Sequence, residues 1–86
     1  MTEQEIIEIT NRVFEESFEL EKEKLKPEAH IFTDLGLDSL DIVDLVAALQ
    51  KNFGVNMRNE EEIRNIRTLQ DVYNFISAIK EKEPSN

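Results

Sequence analysis

The stretch from Gly36 to Gly54 constrains the fold more than any other, because a helix start, an amphipathic run and a helix stop follow one another there. Asp38 and Ser39 stand at the head of an apolar-periodic run, where a side-chain oxygen accepts from an orphan amide of the first helical turn. Asp38 and Asp41 have the spacing of a capping box, with aspartate in place of the usual glutamate. Gly36 supplies the backbone freedom for the bend into that start. Ile42, Leu45, Val46, Leu49 and Phe53 recur at helical spacing and are expected to face a core. Gly54 suits the left-handed residue that closes a helix. The spacing therefore predicts a helix from Ser39 to about Phe53.

A second stripe, Leu40, Val43 and Ala47, runs beside the first. The apolar arc is then broader than one neighbouring helix requires. It reads either as a central helix packed on several sides or as a docking surface rimmed by Asp38, Asp41 and Asp44, with Leu40 and Val43 partly exposed. Ser39 is expected at the positive end of the helix dipole with its hydroxyl toward water, a place that suits a phosphate-bearing group. The plainer reading is a serine that only caps its helix, worth about 1 kcal/mol.

The rest of the chain is helical in pattern. Thr2 and Glu5 form a capping box, and Ile6, Ile9, Thr10, Val13, Phe14 and Ser17 follow as an inward stripe, widened by Ile7 and Phe18, to about Phe18. Glu5, Glu8, Asn11, Arg12, Glu15, Glu16 and Glu19 face away. Alternating charges over 19–26 read as a solvated connector in which Leu20 and Leu25 dip inward, or as a continuation of the helix; Pro27 ends any helix there. Ile31 and Phe32 are expected core contacts. After Gly54, Val55 or Met57 returns to the core, and Asn59 can cap a brief helix from Glu60 to about Asn65. Thr68 caps a last helix with Leu69, Val72, Tyr73, Ile76 and Ile79 or Lys80 inward and Phe75 and Ala78 at its margin. Residues 81–86 read as a frayed tail. The expected fold is all-α, a small four-helix bundle of three longer helices and one short, in one domain spanning 1–86.

Composition narrows the function. At 86 residues the chain buries about 60–65% of its unfolded surface, enough for one modest core and no deep cleft. Its net charge of −9 disfavours nucleic acid and anionic membrane surfaces as partners and favours basic patches on proteins. There is no cysteine, so neither a disulfide nor a thiolate site is available. The acidic opening Met1-Thr2-Glu3-Gln4-Glu5 is unlike a secretory leader, and no run is long enough to span a membrane. A soluble, cytoplasmic monomer is expected.

Catalysis is poorly provided for. Ser39 has Leu37 and Asp41 where a nucleophile elbow needs glycines, and the sole histidine, His30, lies well upstream in a loop. Asp34, Asp38, Asp41 and Asp44 lack the alternating spacing and closing glutamate of a calcium loop, so no dedicated metal site is expected. A non-catalytic protein is the expectation.

The motif Asp34-Leu35-Gly36-x-Asp38-Ser39-Leu40-Asp41 resembles the attachment motif of acyl carrier proteins. The likeness extends to Pro27-Glu28-Ala29 before it, to Val43-Asp44-Leu45-Val46-x-Ala48-Leu49 and Phe53 after it, and to Ile66-Arg67-Thr68-Leu69, covering roughly residues 3–80. The resemblance implies that Ser39 is esterified with 4′-phosphopantetheine, with Asp38 and Leu40 beside the arm. It implies acyl thioester cargo in fatty-acid or related polyketide-like biosynthesis. The partners it implies are a phosphopantetheinyl transferase, acyltransferases and ketosynthases with basic docking patches. Asp38, Leu40, Asp41, Val43, Asp44, Ala47, Met57, Glu60 and Glu61 would form the partner surface. An aminoacyl or peptidyl carrier is the alternative within the class, and Asp38 speaks against it, since those relatives often have histidine there. A non-carrier interaction bundle is the alternative outside it. Gln50, Lys51 and Asn52 stand where the family tends to continue its acidic face, and Ala47 stands where a methionine is common; both weaken the case for a general fatty-acid-synthesis carrier and leave room for a specialised pathway.

Overall fold

In the computed structural model, residues 2–55 and 63–82 are described, the side chain of Lys82 excepted. Thr2 and Glu5 cap each other at the start of the first helix, α1 (Glu3–Phe18): Thr2 Oγ1 accepts from the Glu5 N–H at 3.2 Å, and Glu5 Oε1 accepts from the Thr2 N–H at 3.0 Å. These bonds hold the Glu5 carboxyl below its ordinary pKa, the Thr2 backbone bond contributing most. Ile6, Thr10, Val13 and Phe14 are buried, as the stripe predicts, whereas Ser17 is exposed and Asn11 and Glu15 are half-buried. Asn11 accepts a hydrogen bond from the Tyr73 hydroxyl, which draws it toward the neighbouring helix. Burial pushes the Tyr73 phenol up, against that bond.

Helix α1 stops at Glu19, which takes the left-handed conformation at φ 54°. Glycine does this freely, and any other residue meets a steric cost of about 1 kcal/mol or more. The charged run beyond it does not continue the helix; it holds only a 3-10 turn at Lys22–Lys24.

The second helix, α2 (Ser39–Phe53), and the last described helix, α3 (Leu69–Lys82), both pack against α1. Gly54, at φ 66°, closes α2, its N–H donating to the Gln50 carbonyl at 2.9 Å. The Lys80 ammonium donates to the Phe53 carbonyl at 3.2 Å, fastening α3 to that end of α2. On α3, Phe75 is buried rather than marginal, and Glu81 and Lys82 belong to the helix rather than to a tail. Thr68 caps α3 as expected, with Asp71 reciprocating: Thr68 Oγ1 accepts from the Asp71 N–H, and Asp71 Oδ2 accepts from the N–H groups of Thr68 and Arg67. Partial burial pushes the Asp71 carboxyl up, but those donors and the Arg67 charge outweigh it and hold the group below its ordinary value.

The connection from α1 to α2 contributes as much to the core as a helix face would. Leu25, Ala29, Ile31, Leu35 and Leu37 are all buried, with Ile31 fully so. Phe32, expected beside Ile31, is only half-buried. The Ile31 N–H donates to the Arg67 carbonyl at 2.8 Å, the Leu69 N–H to Ala29 at 3.1 Å and the Gln70 N–H to Pro27 at 2.9 Å. A single antiparallel bridge joins His30 to Thr68. The loop before α2 and the start of α3 are thus one hydrogen-bonded unit.

Ile63 and Arg64 are helical, and Ile63 packs on the core. The rest of the short helix expected over 60–65, with Met57, Glu60 and Glu61, lies outside the described residues. The described architecture is all-α, a small bundle, and none of its described helices is long and apolar enough to cross a membrane.

Candidate functional site

The start of α2 is built by Asp38. Its backbone is extended and its Oδ1 accepts from the N–H groups of Leu40 at 2.9 Å and Asp41 at 3.0 Å, while Asp41 Oδ2 accepts from the Asp38 N–H at 3.0 Å. The capping box expected from the spacing is complete. Ser39 is therefore not the cap; it is the first helical residue. Capping by serine and by aspartate is equally common, so sequence alone left two candidates side by side, and the carboxylate won. Ser39 is exposed, and its hydroxyl has no hydrogen-bond partner among the described residues.

Two amides that an anion at a helix N-terminus would use, those of Leu40 and Asp41, are already taken by the Asp38 carboxylate. Three orphan amides at the start of α2, those of Asp38, Leu40 and Asp41, are thus held by carboxylates, and only the Ser39 N–H has no acceptor among the described residues. What remains at Ser39 is a free nucleophilic oxygen on a rigid element, rather than a ready-made phosphate cradle.

A groove of about 650 Å³, open to solvent, begins at Ser39 and runs along α2. Ile42, Val43, Val46 and Ala47 line it from α2, Phe32 and Ile63 line it from other segments, and Gln50 and Arg64 add polar groups. From Ser39 to Gln50 the helix advances roughly 16 Å at about 1.5 Å per residue. Ile42 and Val46 follow the core periodicity but are only half-buried, because they line this groove. Leu45, Leu49 and Phe53 reach the core as expected.

The second stripe faces outward. Leu40 is 76% exposed and Val43 67% exposed, more than the partial exposure expected for them. Ala47, Asp38 and Asp44 are exposed and Asp41 is half-buried. The structure thus brings Ser39, Asp38, Leu40, Asp41, Val43, Asp44 and Ala47 together on α2 and the residue before it. Among the described residues, no group of three or more histidine, aspartate or glutamate side chains converges as a metal site would.

The sequence reading missed the groove wall supplied by Phe32 and Ile63. No local signal gives it, since both residues reach the site through the packing of separate segments.

Comparison with known proteins agrees with this geometry. A profile of the family described as the phosphopantetheine attachment site matches residues 6–76. The chain is 39% identical over 79 residues to acyl carrier protein 2 of Ralstonia nicotianae, covering 92% of this chain and 96% of that one. It is 39% identical over 77 residues to the acyl carrier protein of Thermosynechococcus vestitus, covering 90% and 94%. With that of Syntrophobacter fumaroxidans it shares 41% identity over 61 residues, covering 71% and 74%. Fold, family profile and full-length relatives agree, and the chain belongs to the acyl carrier protein family, whose members bear a covalently attached 4′-phosphopantetheine.

Proposed function

We propose that Ser39 is the attachment point and that the protein is a non-catalytic carrier of acyl groups in fatty-acid or related polyketide-like biosynthesis. The observation that carries this reading is the exposed, unpartnered Ser39 hydroxyl, left free because Asp38 does the capping. The residues fit the prosthetic group. Ser39 Oγ would take the phosphodiester, and the adjoining apolar groove is long enough to receive a slender chain. When bound, the arm supplies a thiol on which an acyl group is held as a thioester. Asp38 and Asp41 have a further effect here. With the Asp38 carboxylate on the Leu40 and Asp41 amides and that of Asp41 on the Asp38 amide, a phosphate on Ser39 would find those donors occupied and negative charge beside it. Ser39 Oγ, through its ester bond, would then hold the phosphate without help from those amides.

The test is the intact mass after incubation with coenzyme A, magnesium and a broad-specificity phosphopantetheinyl transferase. A gain of one phosphopantetheine, mapped to the peptide containing Ser39, is the expected result. An unchanged mass on a folded, helical sample would defeat the proposal.

The partner surface we propose is the outward face of α2. Leu40, Val43 and Ala47 form its apolar strip and Asp38, Asp41 and Asp44 its acidic rim; Met57, Glu60 and Glu61, which the family resemblance adds, lie outside the described residues. A basic patch on the transferase or a synthase enzyme is the complement, which speeds encounter as well as fixing register. Exposed apolar anchors inside a charged rim are where binding energy concentrates. Val43→Asp is expected to lower the transferase kcat/KM about 30-fold while leaving the melting temperature almost unchanged. A variant loaded at the parental rate would remove Val43 from the surface.

A further inference from the structure

The chain's one histidine lies in the loop entering α2, and carriage by Ser39 makes no use of it. His30 is half-buried, and its Nδ1 accepts from the N–H of Phe32 at 3.2 Å and of Thr33 at 3.3 Å. Its own N–H donates to Asp34 Oδ2 at 2.7 Å, and its carbonyl accepts from the N–H groups of Asp34 and Leu35. A side-chain acceptor holding the amides two and three residues on is the arrangement that Asn, Asp, Ser and Thr use to shape turns. Imidazole Nδ1 stands as many bonds from the backbone as an asparagine Oδ1, so it can take that place. Unlike an amide oxygen, it accepts only while unprotonated; with a proton it becomes a donor facing two donors.

The residue gripped in this way bears on the site. The Phe32 ring lies 5.9 Å from the His30 ring, and Phe32 lines the groove that begins at Ser39. We propose that His30 is a positioning residue for the site: its neutral imidazole sets the Phe32 wall of the groove beside Ser39, and protonation releases it. The charged groups on the described segments around this turn are Lys26, Glu28 and Asp34 in the loop, Arg64 on the groove, and Arg67 and Asp71 at the entry to α3. Asp34 is committed to the His30 N–H, and Asp71 to the amides of Arg67 and Thr68. Among the described residues no carboxylate pairs with the ring, and a proton on Nδ1 replaces the acceptor of both amide bonds with a donor. The consequence for carriage rests on Ser39 being the attachment point; the turn itself does not.

The unmodified, isotope-labelled protein tests it by magnetic resonance from about pH 8 to about pH 5, the range in which imidazole ordinarily changes charge. With a single histidine the ring signals are unambiguous. They are expected to report an unprotonated Nδ1 at the alkaline end. The Phe32 and Thr33 amides, with Val46 on the facing wall, should then shift in step with the ring. At the alkaline end, exchange of the two amides should be about fivefold slower than in His30→Ala. His30→Asn keeps an acceptor in place of Nδ1, so it should hold both amides at every pH and abolish the titration. Amides that ignore the ring titration, or that still titrate in His30→Asn, would overturn the proposal. If His30→Ala fails to fold, the comparison of wild type with His30→Asn decides alone. Failure of Ser39 to accept phosphopantetheine would leave all these signals unchanged, so the two readings fall separately.

Discussion

Ser39→Ala is expected to lose phosphopantetheine loading entirely and to melt within about 2 °C of the parent, whereas Asp38→Ala is expected to do the reverse. The division follows from who holds the first turn of α2. Asp38 Oδ1 satisfies two amides, and removing such a cap costs about 1 kcal/mol, or a fall of about 4–8 °C in a domain of this size. Ser39 contributes no side-chain hydrogen bond among the described residues, and alanine at the first helical position is at least as good a helix former. Loading would be read as intact mass and stability as a melting curve on the same samples. Asp38→Ala should still reach full loading given time, at a reduced rate, because Asp38 also lies on the rim proposed for docking. The outcome that sinks this division is a Ser39→Ala protein as destabilised as Asp38→Ala, since Ser39 would then be a cap after all.

What was legible in the sequence was whatever local side-chain chemistry decides. The start of α1 and both ends of α2 follow from Thr2 with Glu5, from Asp38 with Asp41, and from Gly54, each acting within one helical turn, whereas the end of α1 at left-handed Glu19 carries no such signal. The inward faces followed from periodicity wherever another element covers them, as at Phe14, Leu45 and Ile76. Periodicity failed at Ile42 and Val46, which keep the core spacing but border a groove instead of a neighbour. It also understated Phe75, whose burial depends on what packs beside α3 rather than on its place along it. Leu35 and Leu37, flanking Gly36, show no periodicity, yet both are buried. Their N–H groups donate to the carbonyls of His30 and Ile31, in the segment that pairs with the start of α3 across more than thirty positions, a contact that no local pattern encodes. At the site, the outward-facing serine was legible, but not whether its hydroxyl would be spent on capping the helix. That depended on which of two adjacent capping residues took the amides.

The same pairing makes Ile31 the point at which core stability and site geometry meet. Its side chain is fully buried, its N–H donates to the Arg67 carbonyl at 2.8 Å, and its carbonyl accepts from the Leu37 N–H at 3.2 Å. Ile31→Ala is therefore expected to cost about 3 kcal/mol through lost transfer energy and the cavity left behind. Small domains have roughly 5–10 kcal/mol to lose, so the midpoint of denaturant unfolding should fall by about a third or more. Phe32→Ala is the control next door. Phe32 is half-buried and lines the groove, so its truncation should cost much less stability while widening the space beside Ser39. Denaturant unfolding followed by circular dichroism distinguishes the two. A loss under about 1 kcal/mol for Ile31→Ala would mean that the loop is held by its backbone pairing to α3 and not by its buried side chain. In that case the entry to the site would be set by hydrogen bonds, and His30 rather than Ile31 would be the residue on which its geometry turns.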